Sequence, residues 1–271
     1  MHQLGARCYD MNMKHISRST FVATTAAVAG SSLVASLGGN PAMAASTKPS
    51  IVFAHGIWAD GSSFSKVIPL LQAAGYECIS TQNSLDTLDG DVAAVHRALG
   101  RVSSPAILVG HSYGGQVISA AGTDDRVVGL VYIAALAPDD GETSQSQVDR
   151  FPPSDVFGHI QVADGRLWML PSGAQFFCGD LSAQEQKEVW AVHNPPDANL
   201  FNLKIGRTAW KNKPSWYVLT TKDHTVRPEL QQFLAKRMGA TVTEADSSHL
   251  AMLSKPNVVA DVIIKAANSV H

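Results

Sequence analysis

Ser112, Asp223 and His249 are far apart in the chain, yet their side chains suit one task, nucleophilic attack on a carbonyl carbon. A serine hydroxyl attacks poorly until a base takes its proton, and a histidine titrating near neutrality fits that need. A carboxylate must then fix the histidine tautomer and stabilise the imidazolium. Asp223 and His249 each follow an apolar run that reads as a strand, which sets them on one sheet edge with Ser112. Asp246, Asp139 and Asp140 compete with Asp223 for the role of acid. Asp246 stands three residues from His249 and suits a loop cap better. His224 reads as a solvent-side neighbour of the acid.

The elements that must position these groups are visible around them. Ala106-Ile107-Leu108-Val109 climbs into Gly110-His111-Ser112-Tyr113-Gly114-Gly115, and Gln116 to Ala121 continues with helical character. Strand, sharp turn and helix together form a nucleophile elbow with a strained serine at its tip. Side chains at Gly110 and Gly114 would collide with the flanking strand and helix. An earlier apolar run at 50–54 ends at His55-Gly56-Ile57-Trp58, a loop that can aim a backbone N–H at the same point. Ile57 and Tyr113 are therefore the expected oxyanion donors, each by its N–H. His55 is expected to brace this loop at the edge of a substrate pocket that Trp58 and Trp168 also line.

Further strands are expected at 77–81, 127–134, 215–220 and 240–244, with amphipathic helices between them. One helix should run from Ser62 or Ser63 to Ala74, another should open at Asp89 or Asp91, and Pro228 should start a third. Alternating β and α units with wholly apolar strands predict an α/β fold, a mostly parallel sheet with helices on both faces. Between about 139 and 210 the strand pattern stops, and prolines and scattered aromatics take over. An insertion of this length is expected to be a small helical cap over the site.

The 271 residues, 45% hydrophobic and 16% charged, suit one large domain. Lys14 and Arg18, an apolar small-residue run from Phe21 to Leu37, and Ala42-Met43-Ala44 predict a signal peptide over 1–44 and export to the periplasm or beyond. Without Arg7, Lys14, Arg18 and Asp10, the 21 basic and 23 acidic residues become 18 and 22, a formal −4. No basic cluster survives, which argues against nucleic acid or an anionic membrane as partner. The glycines and serines in the apolar run argue against a permanent membrane anchor. Export would permit a Cys78–Cys178 disulfide, whereas burial of Cys78 in a strand favours free thiols. No Cys-x-x-Cys or His/Cys cluster predicts a metal, and the chemistry above requires no cofactor.

From Ser50 onward the sequence resembles the α/β hydrolase superfamily, and within it the branch of plant methylesterases, hydroxynitrile lyases and small bacterial esterases. The resemblance is carried by His55-Gly56-Ile57-Trp58, by 65–76 (Ser-Lys-Val-Ile-Pro-Leu-Leu-Gln-Ala-Ala-Gly-Tyr), by Gly110 to Gly115, by Asp223 and by Ser248-His249-Leu250-Ala251-Met252-Leu253. It implies the α/β-hydrolase fold, a Ser112–His249–Asp223 triad and a small-molecule ester as substrate. The lyases need threonine and lysine where this chain has Gly56 and Leu250, so ester hydrolysis is the implied activity. Amide, lactone or carbon–carbon hydrolysis, acyl transfer and a receptor role remain alternatives on the same fold.

Overall fold

A computed structural model describes residues 48–270. The expected signal segment lies outside the described residues. The chain alternates strand and helix from the start: β1 (Ser50–Ala54), α1 (Ile68–Ala73), β2 (Cys78–Ser80), α2 (Leu88–Leu99), β3 (Ala106–His111), α3 (Gly114–Ala121) and β4 (Val127–Ile133). The insertion follows with α4 (Ser144–Val148), β5 (Ile160–Ala163), β6 (Arg166–Met169), α5 (Ala174–Cys178) and α6 (Ala183–Ala191). The sheet then resumes with β7 (Ser215–Thr220), α7 (Pro228–Met238) and β8 (Thr241–Ala245), and α8 (Ala251–Ser254) and α9 (Pro256–Ser269) close the chain.

Six strands form one sheet in the order β2-β1-β3-β4-β7-β8, with every pairing parallel. The residues of β1, β3 and β7 are all buried, as a sheet covered on both faces requires. α1 packs on α9 and α2 packs on α3, giving a helical layer on each side. After β2 the chain crosses back over β1 to lay down β3. The strand order therefore reverses between β1 and β3, and a crevice opens outside their carboxyl ends. The elbow and the His55 loop leave the sheet at that crevice.

Local expectations shift in three places. The helix expected from Ser62 splits into a 3-10 turn at Gly61–Phe64 and α1, because Pro69 has no N–H to donate and fits only the first helical turn. Asp60, not a serine, caps the 3-10 turn by accepting from Ser62 N–H at 2.7 Å. Thr87 caps α2, its Oγ1 accepting from Gly90 N–H at 3.1 Å, which leaves Asp91 free to turn inward.

The insertion is not purely helical. β5 and β6 form an antiparallel hairpin whose turn residues, Asp164 and Gly165, have φ of 50° and 72°. Asp-Gly with both residues left-handed is the turn that matches the twist of a two-residue hairpin. Phe177, Phe201 and Trp210 are buried, while Phe151, Phe157, Phe176 and Trp190 pack half-buried against the core.

Candidate active site

β3 ends in a backbone that only this local sequence tolerates. Ser112 has φ of 55°, in the left-handed region, and is 2% exposed. Its N–H donates to Ile133 C=O at 3.1 Å, and its own C=O accepts from Gly115 N–H at 2.9 Å and Leu136 N–H at 3.0 Å. A Cβ on Gly110 would lie 2.5 Å from Gly114 O, and one on Gly114 would lie 2.1 Å from Ala54 O. The elbow is thus pressed against both the start of α3 and the end of β1.

The loop after β1 meets the elbow from the side. A Cβ on Gly56 would stand 2.6 Å from Ser112 Cβ, so only glycine lets the loop come this close. The N–H groups of Ile57 and Tyr113 donate no hydrogen bond among the described residues. His55 is wholly buried and spent on structure: Nδ1–H donates to Gly56 O at 2.9 Å and Nε2 accepts from Asn83 N–H at 2.9 Å. Burial holds its pKa below the ordinary value. Both ring nitrogens are thus engaged by backbone, and the side chain braces the loop. Trp58 is 1% exposed. It donates Nε1–H to Leu167 O at 2.7 Å and meets the Phe177 ring edge-on at 5.9 Å, joining the first loop to the insertion.

Trp168 lies elsewhere. Its side is 39% exposed, its indole N–H donates to Ala163 O at 3.3 Å, and it lines a depression with Trp190 and His193 that Ser112, Asp223 and His249 do not reach. Period-2 alternation in β6 turns Trp168 away from its neighbours Leu167 and Met169.

Asp223 and His249 come together from the loops after β7 and β8. His249 Nδ1–H donates to Asp223 Oδ2 at 2.7 Å, and both side chains are sealed from solvent. The carboxylate is fixed by four more donors. Thr225 and Val226 N–H reach Oδ1 at 2.7 and 2.9 Å, and Thr220 Oγ1–H and Gln231 Nε2–H reach Oδ2 at 2.9 Å each. The rival acids are occupied at the surface, Asp246 with Lys222 and both Asp139 and Asp140 with Lys211. His224 pairs with exposed Asp155 at 2.7 Å.

With Nδ1 carrying the proton, His249 Nε2 is left as an acceptor, and it is buried with no partner among the described residues. A buried unpartnered nitrogen costs free energy and calls for an explanation. The ring is held from two sides. His111 Nε2–H donates to His249 O at 3.1 Å with the two rings 4.5 Å apart, and Phe177 lies 5.2 Å away. Burial first, and the neighbouring His249 second, hold His111 well below the usual histidine range and so keep it neutral. Asp180, two residues past the end of α5, accepts from Ser248 N–H at 3.1 Å and from the Ser248 hydroxyl. Burial works against the Asp180 charge, but these bonds outweigh it and hold the carboxyl below its ordinary pKa.

Gln231 and Asp180 escaped the reading of sequence, which placed His111 only within the elbow and Phe177 only among the scattered aromatics of the insertion. Gln231 left a signal there, as a polar residue among the inward positions Leu230, Leu234 and Ala235 of α7.

A model of the alpha/beta hydrolase family matches residues 51–262. A pyrethroid hydrolase from Sphingobium wenxiniae is 31% identical over 262 residues, covering 82% of this chain and 89% of that protein. Methylesterase 8 of Arabidopsis thaliana is 21% identical over 247 residues, covering 82% and 90%. The crystal structure of a pyrethroid hydrolase from Sphingobium faniae JZ-2 has a TM-score of 0.70 to this chain at 22% identity, covering 82% of this chain and 98% of that one.

Proposed function

Since the chain belongs to the α/β hydrolase family, we propose that it is an exported serine hydrolase that cleaves a small-molecule carboxylic ester through an acyl-enzyme. The observation that carries this reading is the sealed Asp223–His249 pair, which leaves His249 Nε2 unpartnered among the described residues, beside a Ser112 held at a positive φ in the elbow sequence. Esterases among the relatives support the choice of ester over amide.

In this mechanism Ser112 Oγ attacks the ester carbonyl as His249 Nε2 takes its proton. Asp223 holds the tautomer and faces the resulting imidazolium. The N–H groups of Ile57 and Tyr113 receive the oxyanion, a contribution of about 3 kcal/mol for each such donor elsewhere. The imidazolium then protonates the leaving alcohol. Water enters, gives a proton to His249 and attacks the acyl carbon, and as the intermediate collapses His249 returns that proton to Ser112 Oγ, releasing the acid and the free serine. Buried Phe177 beside the base, with Trp58 packed against it, favours an uncharged and apolar substrate group.

Hydrolysis of chromogenic esters of rising acyl length, run beside Ser112→Ala, tests the reading. The expected result is a rate that peaks at one chain length and falls at least about 1,000-fold in the variant. Ester turnover that survives the substitution would refute it. Export is supported by the basic, apolar and Ala-x-Ala order of residues 14–44, and the amino-terminal sequence of the secreted protein would test it, with a start near Ala45 expected.

A further inference from the structure

Asp91 is a carboxylate with 0% exposure and no cation among its partners. A buried charge of this kind is costly and calls for a reason. Its Oδ1 accepts from Leu85 N–H at 3.1 Å, and its Oδ2 accepts from the Tyr113 hydroxyl at 3.1 Å. Tyr113 is the residue that follows Ser112 and stands at the N-terminal boundary of α3. Its side chain runs from the elbow to α2, and its ring stacks on Phe201 of the insertion at 6.2 Å and 19°. The residue is therefore gripped at its far end by α2 and along its face by Phe201, while its N–H is left free at the elbow. A bond from this hydroxyl to a rigid buried acceptor fixes the tyrosine, and with it the direction of the main-chain N–H.

We infer that Asp91 is a positioning residue for oxyanion stabilisation, acting through the Tyr113 side chain to aim the Tyr113 N–H at the reacting carbonyl oxygen. The inference rests on the serine-hydrolase reading. It assigns work to a helix that touches no reacting atom. Donors to an oxyanion act in the transition state more than in the ground state, so loss of aim lowers kcat and leaves KM nearly in place.

The test compares Tyr113→Phe, Asp91→Leu and Asp91→Asn with the wild-type enzyme. Phenylalanine keeps the backbone N–H and removes only the hydroxyl. Leucine keeps the bulk at 91 and removes the acceptor. Asparagine keeps an acceptor for Leu85 and gives Tyr113 Oη a donor. Two quantities are read, kcat and KM on the best ester and the inhibition constant of an aryl or alkyl trifluoromethyl ketone. That ketone adds Ser112 Oγ to its carbonyl carbon, the serine proton passes to His249, and the former carbonyl oxygen becomes the oxyanion the two N–H groups must hold. Tyr113→Phe and Asp91→Leu are expected to lower kcat about tenfold with KM within twofold, and to weaken the ketone by a similar factor. Asp91→Asn is expected to restore most of both, and the double variant Tyr113→Phe/Asp91→Leu to be no worse than either single change.

Tyr113→Phe at wild-type kcat and ketone affinity would overturn the inference, even if Asp91→Leu fails to fold. A drop in kcat with unchanged ketone affinity would overturn it as well, since the oxyanion would then be held as before. A wild-type protein that neither hydrolyses esters nor binds the ketone would bring down the hydrolase reading and this inference with it.

Discussion

Asp91 also has a consequence for stability that its neighbours make measurable. Burial pushes its carboxyl up to about 6, against the ordinary 3.8, although the bonds from Leu85 and Tyr113 pull the other way and nearby Asp86 adds to the rise. The folded chain thus holds a proton in a range where the unfolded chain has released it. The stability this contributes is fully present below about pH 4 and is lost as pH rises through about 6. At about 1.4 kcal/mol per pKa unit the loss is about 3 kcal/mol. Asp91→Asn cannot titrate and should be free of this loss. Urea unfolding at pH 4 and pH 7 is expected to show the variant gaining on the wild type by that order across the interval. Parallel pH dependence of the two proteins would contradict it. The inward turn of Asp91 was not legible in the sequence. At the start of a predicted helix an aspartate reads as a cap, and only the structure shows Thr87 taking that place.

At the level of elements, the elbow holds the closest glycine approaches among the described residues, and its glycines were legible before the structure. Ala106 to Gly115 spells strand, turn and helix in the order that demands small residues on either side of the serine. A methyl at position 114 would meet Ala54 O at 2.1 Å, and neither backbone can move without breaking the β1–β3 ladder. Overpacking of this kind costs about 1–3 kcal/mol or more. Gly114→Ala is therefore expected to lower the melting temperature by about 5–10 °C or to abolish soluble protein. Gly206→Ala, where nothing lies within 4 Å, should change little and serves as the control in the same thermal scan. The insertion was less legible. Its Asp164-Gly165 pair is a strong hairpin signal that the surrounding prolines and aromatics obscured. Trp168 then falls on the outward side of β6, and no count of aromatics could have told that side from the inward one.

The molecule as a whole was readable to the extent that parallel strands are. Buried apolar runs separated by amphipathic helices leave little choice of architecture, and the loops at their carboxyl ends are where residues for chemistry belong. What the sequence lacked was the support around those residues. Gln231, Asp180 and His111 act through contacts with Asp223, Ser248 and His249, and such contacts are settled by packing across 8 to 138 positions of chain. Cys78 and Cys178 are both free thiols, raised by burial to about 11 and about 12, so no covalent link joins these distant parts. The strand order carries a further implication for how the protein comes into being. The candidate site draws on loops after β1, β3, β7 and β8, and β8 is held in the sheet only by β7. Contacts so remote in the chain form late, after the entropy of closing long loops has been overcome. No partly folded chain that lacks β8 can seat His249. During refolding from urea, recovery of esterase activity should therefore trail the return of far-ultraviolet circular dichroism and coincide with the slowest phase of tryptophan fluorescence, and activity that returned with the first helical signal would rule this order of events out.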